Sequence, residues 1–413
     1  MTYTHKIVIV GGGFGGVKAA QELCKKNLGA SIKMIDPKSY MEYHAAMYRM
    51  VTGRSPMEVC LSYKDLLSRD AEHVKDAIAS IDTEKKQVIG ISGSRYSYDT
   101  LIMAVGSSPA FFGIEGIEKH AQTMQNACSA EALKVHLQEL VAMAEHTKPE
   151  DKASLLRVAV VGAGATGVEL AGELGWYLRM IAGNVGVDKS LVTVDLIEAA
   201  PRVLMAFPEK VSGKVEARLR SLGVNLFLNR SVKSQNDGEL VLADMNLKTK
   251  TVVWTAGVKA NALISQIKDV ELDKRGRAVV DAQLKLTKNK DIFAIGDIAS
   301  TKHAGMAQTA LHDAKFVANV IEALLKGKSL PVYEPKQPSY AVPVGPKWCA
   351  FVHGNFSASG RMGWILRRTL DLAVFLMLLP FGKAFAAFSS IRQTEEFTKE
   401  CPIYPKVHPG EKK

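Results

Sequence analysis

Cysteine is scarce and scattered: five residues in 413, at positions 24, 60, 128, 349 and 401, make an odd number with no C-x-x-C pair. A disulfide framework, a zinc ribbon and a thioredoxin-type redox pair are therefore not expected, and a reducing compartment is. Aromatic residues are few, at 7%, and no helix-turn-helix or aromatic-basic platform stands out, so nucleic acid is excluded as a specific partner. Long apolar runs are missing too. The purest, Leu372–Leu379, is cut by Pro380, Gly382 and Lys383, short of the roughly 20 apolar residues that span a bilayer. A secretory leader is not expected, because Met1–Lys6 runs directly into the strand-like Ile7–Val10 and glycines. The chain is expected to begin folded, on the cytoplasmic side. Acids are in deficit, 42 against 53 basic residues, which leaves +11. That surplus favours an anionic partner without saying which.

What is present is organised by glycine. Gly11, Gly13 and Gly16 fit G-x-G-x-x-G directly after the apolar run, and a helical pattern from Val17 to Lys26 follows. The first glycine permits a tight turn, the second lets a pyrophosphate approach the backbone, and the third lets helix pack on strand. The helix N-terminus adds N–H donors and positive potential. Asp36, twenty residues beyond Gly16, ends the next predicted strand, at the spacing from which an acid reaches a ribose hydroxyl. The same plan recurs after Val158–Val161 with Gly162, Gly164 and Gly167, and its acid is Glu198 at the end of the strand Val192–Ile197. An acid there favours NADH and disfavours the 2′-phosphate of NADPH. Two dinucleotide sites in one chain imply electron transfer between a tightly held flavin and an exchangeable nicotinamide. The expected fold is α/β, with two Rossmann-like domains and a C-terminal region. Alternation over 75–105 predicts antiparallel strands, Ser129 is the expected cap of a helix to Glu145, and 146–152 is the expected linker.

Further blocks carry a resemblance. Tyr98–Gly106, Gly164–Leu174, Pro201–Leu204, Trp254–Val258 and Ile292–Asp297 follow in an order similar to that of the two-dinucleotide-binding-domain flavoproteins and, within them, the type II NADH:quinone oxidoreductases. The resemblance covers roughly residues 5–330. It implies a glutathione-reductase-like plan, with FAD in a discontinuous domain (1–115 and 272–330) and NADH in 116–271 together with the linking helix. FAD would be held through Gly11, Gly13, Gly16, Asp36 and Asp297, and NADH through Gly162, Gly164, Gly167 and Glu198. Phe14, Gly15, Ala104, Gly106, Thr166, Ala256, Gly257, Gly296 and Gln308 complete the implied cofactor contacts.

The implied activity is non-proton-pumping NADH:quinone oxidoreduction, with Glu169, Gln308 and His312 as catalytic residues and no metal. The family's A-Q-x-x-x-Q signature is present as Ala307-Gln308 with His312 in the second glutamine position. At i and i+4 the two side chains share a helix face, expected beneath the flavin. Two other activities compete with this one. A sulfide:quinone reductase would use Cys128 and Cys349, and an NADH-sensing flavoprotein would resemble the apoptosis-inducing-factor-like proteins.

Residues 331–413 correspond to the family only in architecture. Arg361–Phe388 mixes basic and apolar residues as an interfacial anchor does. From Lys326 to Arg368, seven basic residues (326, 328, 336, 347, 361, 367 and 368) face one acid, Glu334, which suits an anionic lipid surface. The expectation is a peripheral enzyme at the cytoplasmic face of the cell membrane, paired as a homodimer.

Overall fold

The computed structural model describes residues 5–390; residues 1–4 and 391–413, the latter holding Cys401 and the end of the expected anchoring region, lie outside the described residues. Ile7 to Val10 are all buried: Ile7 and Ile9 share a core with the helix residues Val17, Leu23 and Val317, and Val8 and Val10 share another with Ile81 and Val88 on the opposite face. The strand His5–Val10 is accordingly central in a five-stranded sheet ordered Ile292–Ala294, Thr100–Met103, His5–Val10, Ala30–Ile35, Ala71–Val74, and every adjacent pair is parallel. A second parallel sheet repeats the plan in the order Val224–Phe227, Thr193–Ile197, Arg157–Val161, Thr251–Trp254.

The repetition extends to the insertions. Between its third and fourth strands in chain order each sheet carries a three-stranded antiparallel meander: Ile78–Asp82, Gln87–Gly90 and Arg95–Ser97 in the first, Val232–Asn236, Glu239–Leu242 and Asn246–Lys248 in the second. The chain leaves the first unit through Ser107–Pro109 and returns through Val258–Ala260, and these two strands pair antiparallel.

Two local expectations are corrected. The segment taken as a linker holds the start of the helix Pro149–Leu155, with Pro149 in its first turn, where a missing N–H breaks no hydrogen bond. The helix Ala127–His146 is capped by Asn126 instead of Ser129. Asn126 Oδ1 accepts from the Ser129 N–H at 2.8 Å while Ser129 Oγ accepts from the Asn126 N–H at 3.0 Å, a reciprocal capping box.

A third correction concerns the C-terminal basic cluster. The helices Arg361–Leu378 and Phe381–Ser389 follow a small antiparallel sheet, and Arg367 and Arg368 do not face outward. Both are buried, with Asp371, against Arg49 and Glu58. Arg367 Nε lies 2.9 Å from Asp371 Oδ1, Arg368 Nη1 lies 2.9 Å from Glu58 Oε1 and 3.1 Å from Asp371 Oδ2, and Arg49 Nη1 lies 2.6 Å from Glu58 Oε1. Tyr43 donates its hydroxyl to Asp371 Oδ1 at 2.9 Å. Carbonyl oxygens of Ala341 and Ala45 accept from Arg367, and that of Phe388 accepts from Arg368. A guanidinium tolerates burial when carboxylates and carbonyls meet its donor fork. The opposite face of the pair is apolar and exposed, through Met362, Ile365, Leu376, Met377, Phe381 and Phe385. The usual amphipathic order is inverted, with charge inside and hydrocarbon outside.

Removing one partner from a buried, paired charge cluster costs about 3–5 kcal/mol, so Asp371→Asn is expected to lower the melting temperature at neutral pH. Burial opposes the Asp371 charge, but Arg367, Arg49 and Arg368 outweigh it and hold its carboxyl below the usual range. A carboxylate depressed on folding adds stability above its unfolded pKa and loses it as pH falls through the folded value. Thermal melts should therefore show the wild type losing stability below about pH 4 more steeply than Asp371→Asn. Parallel curves would contradict the pairing.

Candidate functional site

The two glycine loops have the same geometry. Gly11 turns at φ +101° with the Ala104 carbonyl against it, and Gly162 turns at φ +103° with Ala256 against it. A methyl on Gly16 would lie 1.8 Å from the Gly11 carbonyl oxygen, and one on Gly167 would lie 1.8 Å from that of Gly162, so both positions require glycine for helix to meet strand. The middle glycines differ: Cβ atoms on Gly13 and Gly164 would meet nothing within 4 Å. Each is the N-cap of its helix, with no side-chain cap and no acid in the first turn. Open space before uncapped N–H donors fits a pyrophosphate in both loops.

The two acids also correspond. Asp36 accepts from the Gly12 N–H at 2.7 Å and from the Lys38 N–H at 2.9 Å. Glu198 accepts from Ala163 at 2.7 Å and from Ala200 at 2.9 Å. Each carboxylate thus stands beside its own glycine loop. Tyr63, which no motif marks, donates its hydroxyl to the Gly12 carbonyl at 2.9 Å and braces the first loop.

A cavity of about 800 Å³ adjoins the first loop. Gly11, Gly13, Phe14, Gly15 and Asp36 line it, as do Ala104, Gly106, Gly296 and Asp297. Ser107, also missed in the sequence, donates to Asp297 Oδ2 at 2.8 Å. The second unit reaches the same cavity through Thr166 and Glu169, at the start of the helix Ala165–Asn184. Gly162, Gly164, Gly167, Glu198, Ala256 and Gly257 are not on its wall and surround the second loop. Leu370, Val374 and Arg367 of the C-terminal helix also line the cavity, a contribution that no motif announced.

Glu169 is buried, with Arg367 Nη1 at 3.5 Å. Burial pushes its carboxyl up to about 7, against the opposing pull of Arg367 and Arg49. Gln308 lines the cavity with its amide fully engaged, Nε2 donating to the Ser339 carbonyl and Oε1 accepting from the Ser339 N–H, both at 3.0 Å. His312 does not share this place: it lies off the cavity wall, its Nε2 donates to the Glu334 carbonyl at 2.9 Å, and its ring packs on Tyr333. Gln308 and His312 do share a helix face, and that face grips the connector. The two cysteines of the sulfide alternative are not on the wall either. Cys349 is fully buried, and burial pushes its thiol up to about 12, far from the thiolate such chemistry needs. Cys128 is exposed on the helix Ala127–His146.

Comparison with known proteins agrees with this geometry. A protein-family profile described as pyridine nucleotide-disulphide oxidoreductase matches residues 5–314. The type II NADH:quinone oxidoreductase Ndh of Mycobacterium tuberculosis is 30% identical over 90% of this chain and 84% of its own. The type II NADH:quinone oxidoreductase of Staphylococcus epidermidis is 28% identical over 92% and 97%. Among solved structures, NDH2 of Plasmodium falciparum in complex with NADH superposes with a TM-score of 0.83 at 17% identity, covering 94% of this chain and 97% of that one. The sulfide:quinone oxidoreductase of Aquifex aeolicus gives 0.75 at 18%, covering 94% and 92%. At such identities the structural likeness speaks for the fold.

Because His312 donates one hydrogen bond to a backbone carbonyl, a glutamine amide can replace it. His312→Gln should keep the melting temperature and the pH profile of turnover, whereas His312→Ala should lose about 0.5–1.5 kcal/mol of stability. A pH limb that vanishes in His312→Gln would instead mean that the imidazole titrates in turnover.

Proposed function

The chain belongs to the pyridine nucleotide-disulphide oxidoreductase family, and within it to the type II NADH:quinone oxidoreductases; from that premise we propose that it oxidises NADH and passes the electrons through FAD to a quinone. The observation that carries the reading is that both glycine-loop units contribute to one cavity. The first unit lines it with its loop, Asp36 and Asp297, while the second contributes Thr166 and Glu169.

FAD, when bound, supplies the hydride acceptor and the relay of two electrons. The chain's own residues do the rest. Gly13 and the following helix start would cradle the flavin dinucleotide's phosphates, Asp36 would hold its ribose and Asp297 its ribityl chain. Gly164 and Glu198 do the same for NADH, and the Glu198 carboxylate repels a 2′-phosphate. Glu169 keeps a proton on its carboxyl up to about pH 7 and gives it to a quinone oxygen, a general-acid role. Arg367 beside it stabilises the carboxylate left behind. Gln308, with both amide atoms on Ser339, sets the cavity wall.

Peripheral attachment to an anionic membrane surface is supported by the inverted C-terminal helices. Met362, Ile365, Leu376, Met377, Phe381 and Phe385 form an exposed apolar face, with Phe381 at 76%, and exposed Arg361 and Lys383 flank it. Such a face inserts among acyl chains while basic residues meet headgroups. Among the described residues no helix is long and apolar enough to cross a membrane. Leu370 and Val374, on the cavity side of the same helix, give a lipophilic quinone an apolar approach.

The deciding experiment adds NADH, NADPH or sulfide anaerobically to the holoenzyme, then a short-chain quinone, while flavin absorbance is followed. Bleaching by NADH and recovery with quinone is expected; bleaching by sulfide alone would overturn the reading. The rate of recovery should fall as pH rises above about 7, where Glu169 loses its proton, and Glu169→Gln should slow it by about 100-fold and abolish that limb. In flotation with anionic vesicles, Phe381→Glu with Phe385→Glu should release the protein. If the variant still floats, lipid is held elsewhere; if it fails to float and becomes monomeric while the wild type is dimeric, the face joins two copies.

A further inference from the structure

Phe112 occupies a position that neither local conformation nor packing explains. It begins a tight turn in which the Ile114 N–H donates to the Phe111 carbonyl at 3.1 Å, and both corner residues are left-handed, Phe112 at φ +54° and Gly113 at +69°. Turns of this primed kind take asparagine, aspartate or glycine at the first corner, because a bulky side chain there crowds its own backbone. An aromatic residue in such a place is usually compensated by burial. Phe112 is not: it remains 69% exposed. Phe111, its neighbour, is half-buried against the nicotinamide unit's core.

The ring is nevertheless held in a definite place. A methyl added to Gly257 would meet it at 3.0 Å, and its centroid lies 6.4 Å from that of Trp254. Trp254 is anchored in turn by donating its indole N–H to the Ala110 carbonyl at 2.9 Å, and the Ala110 N–H donates to the Gly257 carbonyl at 3.0 Å. The exposed ring therefore stands over the segment Ala256–Gly257, which abuts the Gly162 turn.

Sheet order says which part of a dinucleotide passes there. The strand leading to Gly162 has Thr193–Ile197, which ends at Glu198, on one side and Thr251–Trp254, which leads to Gly257, on the other. The adenosine ribose belongs on the Glu198 side, so the other half of the molecule leaves the loop on the Gly257 side. Val258, the next residue, lines the flavin cavity.

We propose that Phe112 packs its ring against the nicotinamide half of NADH as that half crosses from the second glycine loop to the cavity. The assignment rests on the function proposed above. Strain at a corner that exposes an aromatic face is the kind retained where a ligand covers it, and an aromatic contact strengthens binding by an amount visible in a dissociation constant.

The test titrates holoenzyme with NAD⁺ and, separately, with ADP-ribose, which lacks the nicotinamide ring, by calorimetry. Phe112→Asn removes the ring and supplies a residue that suits the left-handed corner, so its melting temperature should equal or exceed the wild type's. Its NAD⁺ affinity should fall about three- to tenfold, its ADP-ribose affinity less than twofold, and Phe112→Tyr should bind NAD⁺ like the wild type. The proposal is overturned if Phe112→Asn binds NAD⁺ as tightly as the wild type, if both ligands weaken equally, or if the variant melts several degrees lower. Wild-type holoenzyme that NADH does not bleach and that binds neither ligand would overturn the underlying reading, a result separable from any difference between variants.

Discussion

Three guanidinium groups and two carboxylates buried together form the interaction on which the rest of the structure turns. Arg49, Arg367 and Arg368 stand against Glu58 and Asp371, which leaves one positive charge over. Glu169, 3.5 Å from Arg367, closes that balance only when it is ionised. The same cluster thus fastens the C-terminal helix to the first unit and sets the electrostatic surroundings of a carboxyl that belongs to the second. Burial still dominates at Glu169, which is why a group facing an arginine titrates high instead of low. A proton there is weakly held at neutral pH, the condition under which one can be exchanged during turnover.

Around this junction the two sheets are nearly one design used twice. Each places a glycine loop at the end of its central strand and returns an acid to it, Asp36 to Gly12 and Glu198 to Ala163. The difference lies in exposure and neighbours. The first loop opens into a cavity closed by Gly296, Asp297 and the C-terminal helix, whereas Gly164, Ala165 and Thr166 of the second are exposed. An enclosed loop suits a resident dinucleotide and an open one suits a dinucleotide that comes and goes.

Much of this was legible in the sequence, because the features involved are local. A β-branched run, three glycines at fixed spacing and an acid at the next strand end fix one another's positions within about forty residues, and the structure holds both units as the spacing implies. What escaped was set by distant partners. Arg367 and Arg368 have the composition of a lipid-facing cluster, and distant partners turn them inward: the Ala45 carbonyl meets Arg367, and Glu58, 310 positions away, meets Arg368. His312 stands one turn from Gln308, yet the connector carbonyl of Glu334, which no pattern marks, takes its ring nitrogen. Asn126 and Ser129 bond each other reciprocally, so both residues carry the signal of a helix start and composition alone does not rank them. Ser107 and Tyr63 carry no signature, since a lone hydroxyl becomes meaningful only beside the group it braces.

The separation of the buried charges along the chain has a consequence for synthesis. Arg49 and Glu58 emerge early and can pair with each other, but the guanidinium and carboxylate groups that complete their shell belong to Arg367, Arg368 and Asp371. The fifth strand of the first sheet, Ile292–Ala294, also arrives only after the whole second unit. A nascent chain must therefore keep an unfinished sheet edge while nearly two hundred further residues are made, and an incomplete charge cluster for longer still. The last helix to leave the ribosome among those described is also the one whose outer face is hydrocarbon. Closure of the cavity and presentation of the apolar face thus become a single late event, so a chain that has not yet matured offers neither a finished cavity nor the exposed hydrocarbon.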